Sequence, residues 1–402
     1  MLLQREFCLM RYVGTASKGI RLPVVTRGAD VIRIISESII NASESERDGF
    51  TIRDRDIVGV TESLVARSQG NYVTLTDISD DVAEKFPSGD VAVIAPILSR
   101  NRFHQLLRGM AKGIKGRVHI MLTYPSDEVG NQLIEPMNYY LNSSKLSGEC
   151  FDEKEFYEIF GEYKHPFTGV DYIQLYKSTD PQRISVHFSN NPLSALKFTK
   201  QALVASIHAR RIHRDILERG GAEKVVTMDQ ICSSPAREGA GFNPDYGLLG
   251  SNYTNDESVK LFPRGCGEFV KKLQRELLSR TGKKLEVLVY GDGAFKDPAC
   301  GIWELADPVV SPGYTDGLNG MPKEIKFKYV ADNAGEIDAA KAVEEAIRAK
   351  DSLGRFEHST LGTTPRRLTD LIGSLCDLTS GSGDKGTPVV YIQGYFDNYL
   401  DD

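Results

Sequence analysis

The 402-residue sequence contains no run of about 18 apolar residues, so nothing in it reads as a membrane span. The opening stretch MLLQREFCLM is interrupted by Arg5 and Glu6 and is too short for the apolar region of a secretion signal, which predicts a cytoplasmic chain. No C-x-x-C pair occurs. The six cysteines are scattered, which predicts free thiols in a reducing compartment rather than a disulfide framework or a zinc site. The seven histidines form no H-E-x-x-H, and no Ser-His-Asp or Cys-His set stands out to suggest a hydrolase. A phosphate-binding G-x-x-x-x-G-K-[ST] is also missing. Excess positive charge is lacking too. The net charge is −6, which argues against a dedicated binder of nucleic acid or anionic membranes.

What remains is ordinary soluble-protein composition, 41% hydrophobic and 26% charged, over a length that predicts two or three domains. Val31, Ile32, Ile35 and Ile39 recur at helical spacing after Gly28. The runs around Ile57–Val60, Val91–Pro96 and Val118–Pro125 read as strands, with a helix between the last two that carries Phe103, Leu106, Leu107 and Met110 on one face. DYIQLY and ISVHFS read as paired strands, and a long helix is predicted from about Pro192 to Glu218. A helix after Pro263 ends at Gly282, placed for a left-handed cap, and leads to the strand KLEVLVY. Helices are predicted near Glu336–Lys350 and Pro365–Leu378, the latter with Thr364 as N-cap, before the buried strand PVVYIQ. Strands and helices mix without strict alternation, which predicts an α+β fold with mixed or antiparallel sheets and packed helices in two subdomains.

Several stretches have the composition for chemistry. TSGSGDKGT, between the last helix and the last strand, reads as a slack linker or as a glycine-rich loop that aims N–H groups at a phosphate, with Lys385 as a point charge. In VYGDGAFKDP, Asp292 sits at a strand's end between glycines. It makes a simple turn or presents a hard oxygen to magnesium or manganese. GLLGSNYTNDES offers Asn252, Asn255, Asp256 and Glu257 as contacts or as a solvated loop. HARRIHRD reads as the wet face of a helix or as a patch for an anionic substrate.

Taken in order, these stretches resemble the coenzyme F-420-0:γ-glutamyl ligase family. Its G-I-x-x-P-hydrophobic-hydrophobic-x-x-G-D-D motif is matched by Gly19, Ile20, Pro23, Val24, Val25, Gly28 and Asp30. ESLVARSQG is similar to the family's Ser/Thr-x-x-x-Lys-x-x-Gly, with Glu62 and Ser63 at the polar pair and Arg67 at the lysine. LGSNYTN follows A-G-I-D-x-S-N, with Asn252 at the metal-binding Asp and Asn255 at the nucleotide-binding Asn. SRTGKKLEVLVYGD matches the next helix end and strand, and SGSGDKGTPVVYIQGY follows G-Q-A-D-E-G and its strand. The resemblance covers residues 14–75, 245–300 and 363–396. It implies a ligase-like core built from residues 1–96 and 246–402, an enlarged second α/β subdomain at 97–245, and an excursion at 307–360.

The resemblance implies a ligase that uses GTP, or ATP, with Mg²⁺ or Mn²⁺ to join glutamate to a deazaflavin precursor or a related folate- or pterin-like acceptor through an acyl phosphate. Asp292, Arg67 and Lys385 are the expected catalytic residues. Leu22, Pro23, Val24, Val25, Glu62, Ser63, Arg67, Asn255, Gly381, Ser382, Gly383, Asp384 and Lys385 are expected around the nucleotide, and Asp292, Asn252, Gly293 and Ser382 at the metal. Three metal positions depart from the family pattern, with Asn252 for Asp, Gly293 for Thr and Ser382 for Gln. The metal site is thus expected to be weaker, unless Asp256, Asp297 or Asp384 compensates. The resemblance also implies a homodimer acting on small molecules. The alternative from another class is a nucleotide-binding or regulatory protein with lost or altered catalysis.

Overall fold

Three runs of apolar, largely β-branched residues, IVGVT, EVLVY and VVYIQ, are buried along almost their whole length. A strand without polar alternation needs cover on both faces, and these three lie side by side in one sheet with helices above and below. The computed structural model describes residues 13–146, 148–166, 168–255, 257–291, 310–335, 338–350, 366–381, 383–398 and 400. Fourteen strands occur among them: β1 (Ala16–Ile20), β2 (Ile57–Thr61), β3 (Tyr72–Thr74), β4 (Val91–Ile94), β5 (Val118–Leu122), β6 (Phe151–Asp152), β7 (Ile184–Phe188), β8 (Gln201–Val204), β9 (Lys224–Thr227), β10 (Asn252–Asn255), β11 (Ser258–Lys260), β12 (Glu286–Tyr290), β13 (Gly313–Tyr314) and β14 (Val389–Gln393). Helices of eight or more described residues are α1 (Val31–Ser43), α2 (Glu62–Gln69), α3 (Leu75–Lys85), α4 (Phe103–Gly113), α5 (Glu153–Phe160), α6 (Arg210–Arg219), α7 (Cys266–Thr281), α8 (Ala339–Ala349) and α9 (Leu368–Ser380).

The first sheet has five strands in the order β1-β14-β2-β12-β13. Only the β12–β2 pair is parallel. Val58, Val60, Val287, Val289, Val389 and Tyr391 face α1, α2 and α7, and Ile57, Leu288, Val390 and Ile392 face α9. The period-2 alternation of a strand puts these residues on opposite faces.

The second sheet has six strands in the order β6-β7-β5-β4-β8-β9. All pairs are parallel except β6–β7. Its parallel strands are doubly wound, with helices on both faces. A three-stranded antiparallel sheet, β10-β11-β3, lies between the two in sequence. The whole is α+β with mixed sheets and packed helices.

Two elements differ from the sequence reading. DYIQLY is not a strand: Tyr172–Lys177 is a short helix whose first N–H groups, of Ile173 and Gln174, donate to the Asp171 carboxylate. Its buried residues, Tyr172, Ile173 and Tyr176, fit a helical face, and the capping Asp outweighs the apparent alternation. The long helix expected from Pro192 to Glu218 is instead a 3-10 turn (Pro192–Lys197), β8 and α6. Ala202, Leu203 and Val204 are drawn into parallel pairing with both β4 and β9, a tertiary demand that local periodicity does not reveal. The expected N-cap Thr364 and Pro365 lie outside the described residues, and α9 begins after an extended Arg367. The predicted cap at Gly282 is present, in the left-handed region at φ 67°.

The second sheet buries an unusual pair. His119 of β5 and His187 of β7 stand side by side, with Nδ1 and Nε2 3.4 Å apart, Ser185 Oγ within hydrogen-bond reach of both, and the Phe198 ring stacked against them. Burial, reinforced by the neighbouring His119, holds the His187 pKa down at about 4, while the nearby Asp152 pulls the other way. Burial also lowers the His119 pKa, against the opposing charge of Asp90. The unfolded chain, with histidines titrating at about 6.5, therefore takes up protons that the folded chain does not. This penalty is absent above that pH and grows as pH falls toward about 4. We expect urea midpoints to drop over this window, and His187→Gln to flatten the drop. An unchanged slope in the variant would show that other groups set the acid limit.

Candidate functional site

The last strand creates the site. β14 lies between β1 and β2, so that Val389 pairs with Ile20 on one side and Val60 on the other. The pairing continues past the strand ends. Leu22 donates its N–H to Gly386 O at 3.1 Å, and Thr61 donates its N–H to Pro388 O at 2.9 Å. Three segments far apart in sequence, Leu22–Val25, the start of α2 and the loop after α9, therefore meet around one cavity of about 490 Å³.

Leu22, Pro23, Val24, Val25, Ser63, Arg67, Gly381 and Gly383 all line this cavity. Ser63 and Arg67 are four residues apart on α2 and so share a face. Arg67 is exposed, and its guanidinium has no acceptor among the described residues. The glycine-rich loop is not slack. Gly383–Lys385 form a 3-10 turn, Gly386 N–H donates to Gly383 O at 3.3 Å, and Thr387 Oγ1 donates to Ser380 O at 3.0 Å. Gly381 has φ 60°, and the Lys385 ammonium lies over it, where a Cβ on residue 381 would come within 2.8 Å of Nζ. A side chain at this position would be strained and would also displace the lysine.

Glu62 has a different setting. Its carboxylate accepts from the Lys260 ammonium, which also donates to Ser63 Oγ at 2.7 Å, and Glu62 and Lys260 are 4% and 5% exposed. This buried pair ties the first turn of α2 to β11. Asn252 stands opposite Lys260 in the β10–β11 ladder, and Asn255 opposite Ser258. The cavity lining includes neither asparagine, nor Glu62, Asp384 or Lys385 themselves. Asp292, Gly293 and Ser382 lie outside the described residues.

Sequence reasoning missed Lys260, Asp377 and Tyr290. Lys260 had a signal, a lone charge between Val259 and Leu261 in an apolar run. Asp377 and Tyr290 line the cavity from α9 and the end of β12; Tyr290 lies in the stretch VYGDGAFKDP, where attention fell on Asp292 alone, and Asp377 stands two residues before the glycine-rich loop. Among the described residues, no group of three or more His, Cys, Asp or Glu side chains could hold a metal ion. Asp377 is the one described carboxylate in the lining, and Asn252 offers a neutral amide oxygen, so these donors alone do not make a divalent-cation site.

The same three segments fall within a family match that runs over nearly the whole chain. The family model for F420-0:gamma-glutamyl ligase matches residues 19–394. The chain belongs to the F420-0:gamma-glutamyl ligase family. Among curated proteins, none matches it. Membership carries the γ-glutamyl ligase class of activity in F420 biosynthesis, with small-molecule substrates. This ligase-family chain contains no helix, among the described residues, long and apolar enough to cross a membrane. Its four described cysteines, Cys150, Cys232, Cys266 and Cys376, are free.

Removing one partner of a buried ion pair strands the other charge. Lys260→Met is therefore expected to lower unfolding free energy by about 3–5 kcal/mol in urea titrations at neutral pH. Adding Glu62→Gln should restore most of it. A cost below about 1 kcal/mol, the range of an exposed pair, would contradict the burial described here.

Proposed function

We propose that the chain is a nucleotide-dependent γ-glutamyl ligase that binds GTP in the cavity formed by Leu22–Val25, α2 and the glycine-rich loop. ATP is the alternative nucleotide. The observation that carries this reading is the convergence of Arg67 and the loop bearing Lys385 on one cavity with no carboxylate partner for either cation among the described residues. A cavity of about 490 Å³ lies within the range of small-ligand sites.

Amide formation from a carboxylate in water is uphill, so the acid must first be activated. In the proposed reaction, an acceptor carboxylate oxygen attacks the γ-phosphorus, the bond to the β-phosphate oxygen breaks, and GDP leaves an acyl phosphate. The glutamate amine then attacks the carbonyl carbon, inorganic phosphate departs, and the amine loses a proton. Such transfers depend on positioning and on neutralising phosphate charge. Arg67 and Lys385 supply fixed positive charge, and the closed loop supplies backbone donors without reorganisation at the moment of transfer. A divalent cation, Mg²⁺ or Mn²⁺, when bound, supplies further charge neutralisation at the phosphates. We assign Asp292, two residues beyond Tyr290 in sequence, as the carboxylate that would hold it, with Asn252, Gly293 and Ser382 as the other residues the family pattern assigns to the metal. The acceptor is a deazaflavin precursor or a related folate- or pterin-like acid, and we propose a homodimer.

The test is incubation with GTP or ATP, Mg²⁺ or Mn²⁺, L-glutamate and a panel of such acceptors, with mass spectrometry for glutamyl addition. Arg67→Ala and Lys385→Ala are each expected to reduce kcat/KM about 10–100-fold, the loss of one charge-assisted contact. Asp292→Ala is expected to abolish product without altering the thermal melt. Nucleotide binding without product for every acceptor would replace this reading with a binding or regulatory role. Undiminished rates in both cation variants would move the nucleotide elsewhere.

A further inference from the structure

A second cavity, of about 460 Å³, opens where the segments that build the first one continue. Leu22–Val25 and Arg67 line the first. Two residues further along each segment, Arg27, Gln69 and Gly70 line the second. Its far wall comes from Pro235–Phe242 and Arg264. Three guanidiniums, of Arg27, Arg237 and Arg264, face one lining carboxylate, Glu238.

These arginines differ in how well they are matched. Arg237 makes a two-pronged contact with Asp77, Nε to Oδ1 at 2.8 Å and Nη2 to Oδ2 at 3.2 Å. Arg264 is half-buried, yet its described partners are all neutral. Nη1 donates to Asn71 Oδ1 and to Phe242 O, and the guanidinium lies 4.5 Å from the centre of the Phe242 ring. Its backbone is locked by two hydrogen bonds with the Gln69 amide. A half-buried cation held only by neutral acceptors keeps most of its field. Arg27 has no acceptor among the described residues, but it is not loosely placed. Its Cδ and Nε occupy the space where a Cβ on Gly70 would sit, 2.5 Å away, and Gly70 itself has φ 61°. Glycine at position 70 thus both closes α2 and lets the Arg27 stem lie across it. With Asp77 matched to Arg237, the charges left in the cleft are those of Arg27 and Arg264 against Glu238.

We propose that this cleft binds an oxyanion group, a carboxylate or phosphate, of a small-molecule ligand, with Arg27 and Arg264 as its principal contacts. The planar fork of arginine suits both groups. Because the cleft adjoins the nucleotide cavity along two shared segments, the ligand is assigned as the second substrate. That assignment rests on the ligase reading, whereas the anion site does not. The two sources of the anion are the dicarboxylic amino acid and a phosphate-bearing acceptor.

The experiment is calorimetric titration of the full chain with L-glutamate and, separately, with inorganic phosphate, at low ionic strength. Saturable binding of at least one probe is expected. Arg27→Ala, at an exposed position with no described hydrogen bond, should weaken it about tenfold or more. Arg264→Lys, which keeps the charge but loses the fork, should weaken it as well. Arg67→Ala combined with Lys385→Ala should leave it within about twofold, since the contact between Arg67 and the cleft is the backbone hydrogen bond from Gly70 N–H to Arg67 O, which the substitution keeps. Binding of glutamate alone assigns the cleft to the amino acid, and binding of phosphate alone assigns it to a phosphate-bearing acceptor. No saturable binding, wild-type affinity in Arg27→Ala, or loss that follows the Arg67 and Lys385 substitutions instead would overturn the proposal. Anion binding without ligation in any assay would leave the cleft standing and remove the ligase reading. Ligation without anion binding here would do the reverse.

Discussion

The insertion of β14 between β1 and β2 is the constraint on which the rest depends. It joins strands whose paired residues, Ile20 and Val60 on Val389, lie more than 300 positions from their partner in sequence. Both faces of that strand are covered, Val389 and Tyr391 by α1, α2 and α7, and Val390 and Ile392 by α9. A one-residue slip would exchange the two sets of side chains. The register is therefore held by two cores at once, and with it the meeting of Leu22 with Gly386 and of Thr61 with Pro388. The candidate nucleotide cavity is a consequence of that register.

Charge is distributed around this frame according to burial. Where Lys260 and Glu62 are buried, they are matched to each other and fix the first turn of α2 against β11. Where Arg67 and Lys385 are exposed beside the cavity, the described residues offer them no acceptor. Arg264 is intermediate, half-buried and satisfied only by neutral groups. Matched charges hold α2 in place, and unmatched ones along or beside it face open space on two sides. α2 accordingly serves both cavities, through Ser63 and Arg67 at one and Gln69 at the other.

Much of this was readable in advance where the local signal and the tertiary demand agree. The apolar stripe Val31, Ile35 and Ile39, the glycine cap of α7, and the buried runs of β2, β12 and β14 were predicted because periodicity, capping chemistry and burial all point the same way. Tyr172–Lys177 misled because a six-residue segment with apolar residues on either side of polar ones suits both strand and helix, and an Asp cap decides. The stretch from Pro192 to Glu218 misled because parallel pairing of β8 is imposed by β4 and β9 across the sheet. Nor did local pattern reveal the parallel order of the second sheet.

The sequence by itself determined which segments are apolar, that α1, α4 and α7 are helices and β2, β4, β5, β12 and β14 strands, and that its short motifs stand in the order of the γ-glutamyl ligase family. Those properties depend on neighbours a few residues apart, and they were enough to single out Leu22–Val25, Ser63, Arg67 and the glycine-rich loop. Only the tertiary structure decided that these segments share one cavity, that the Glu62 carboxylate is committed to Lys260, and that Arg27, Arg237 and Arg264 surround another. Each of these facts concerns residues brought together by strand pairing over hundreds of positions, and a charge's role is set by what faces it after folding.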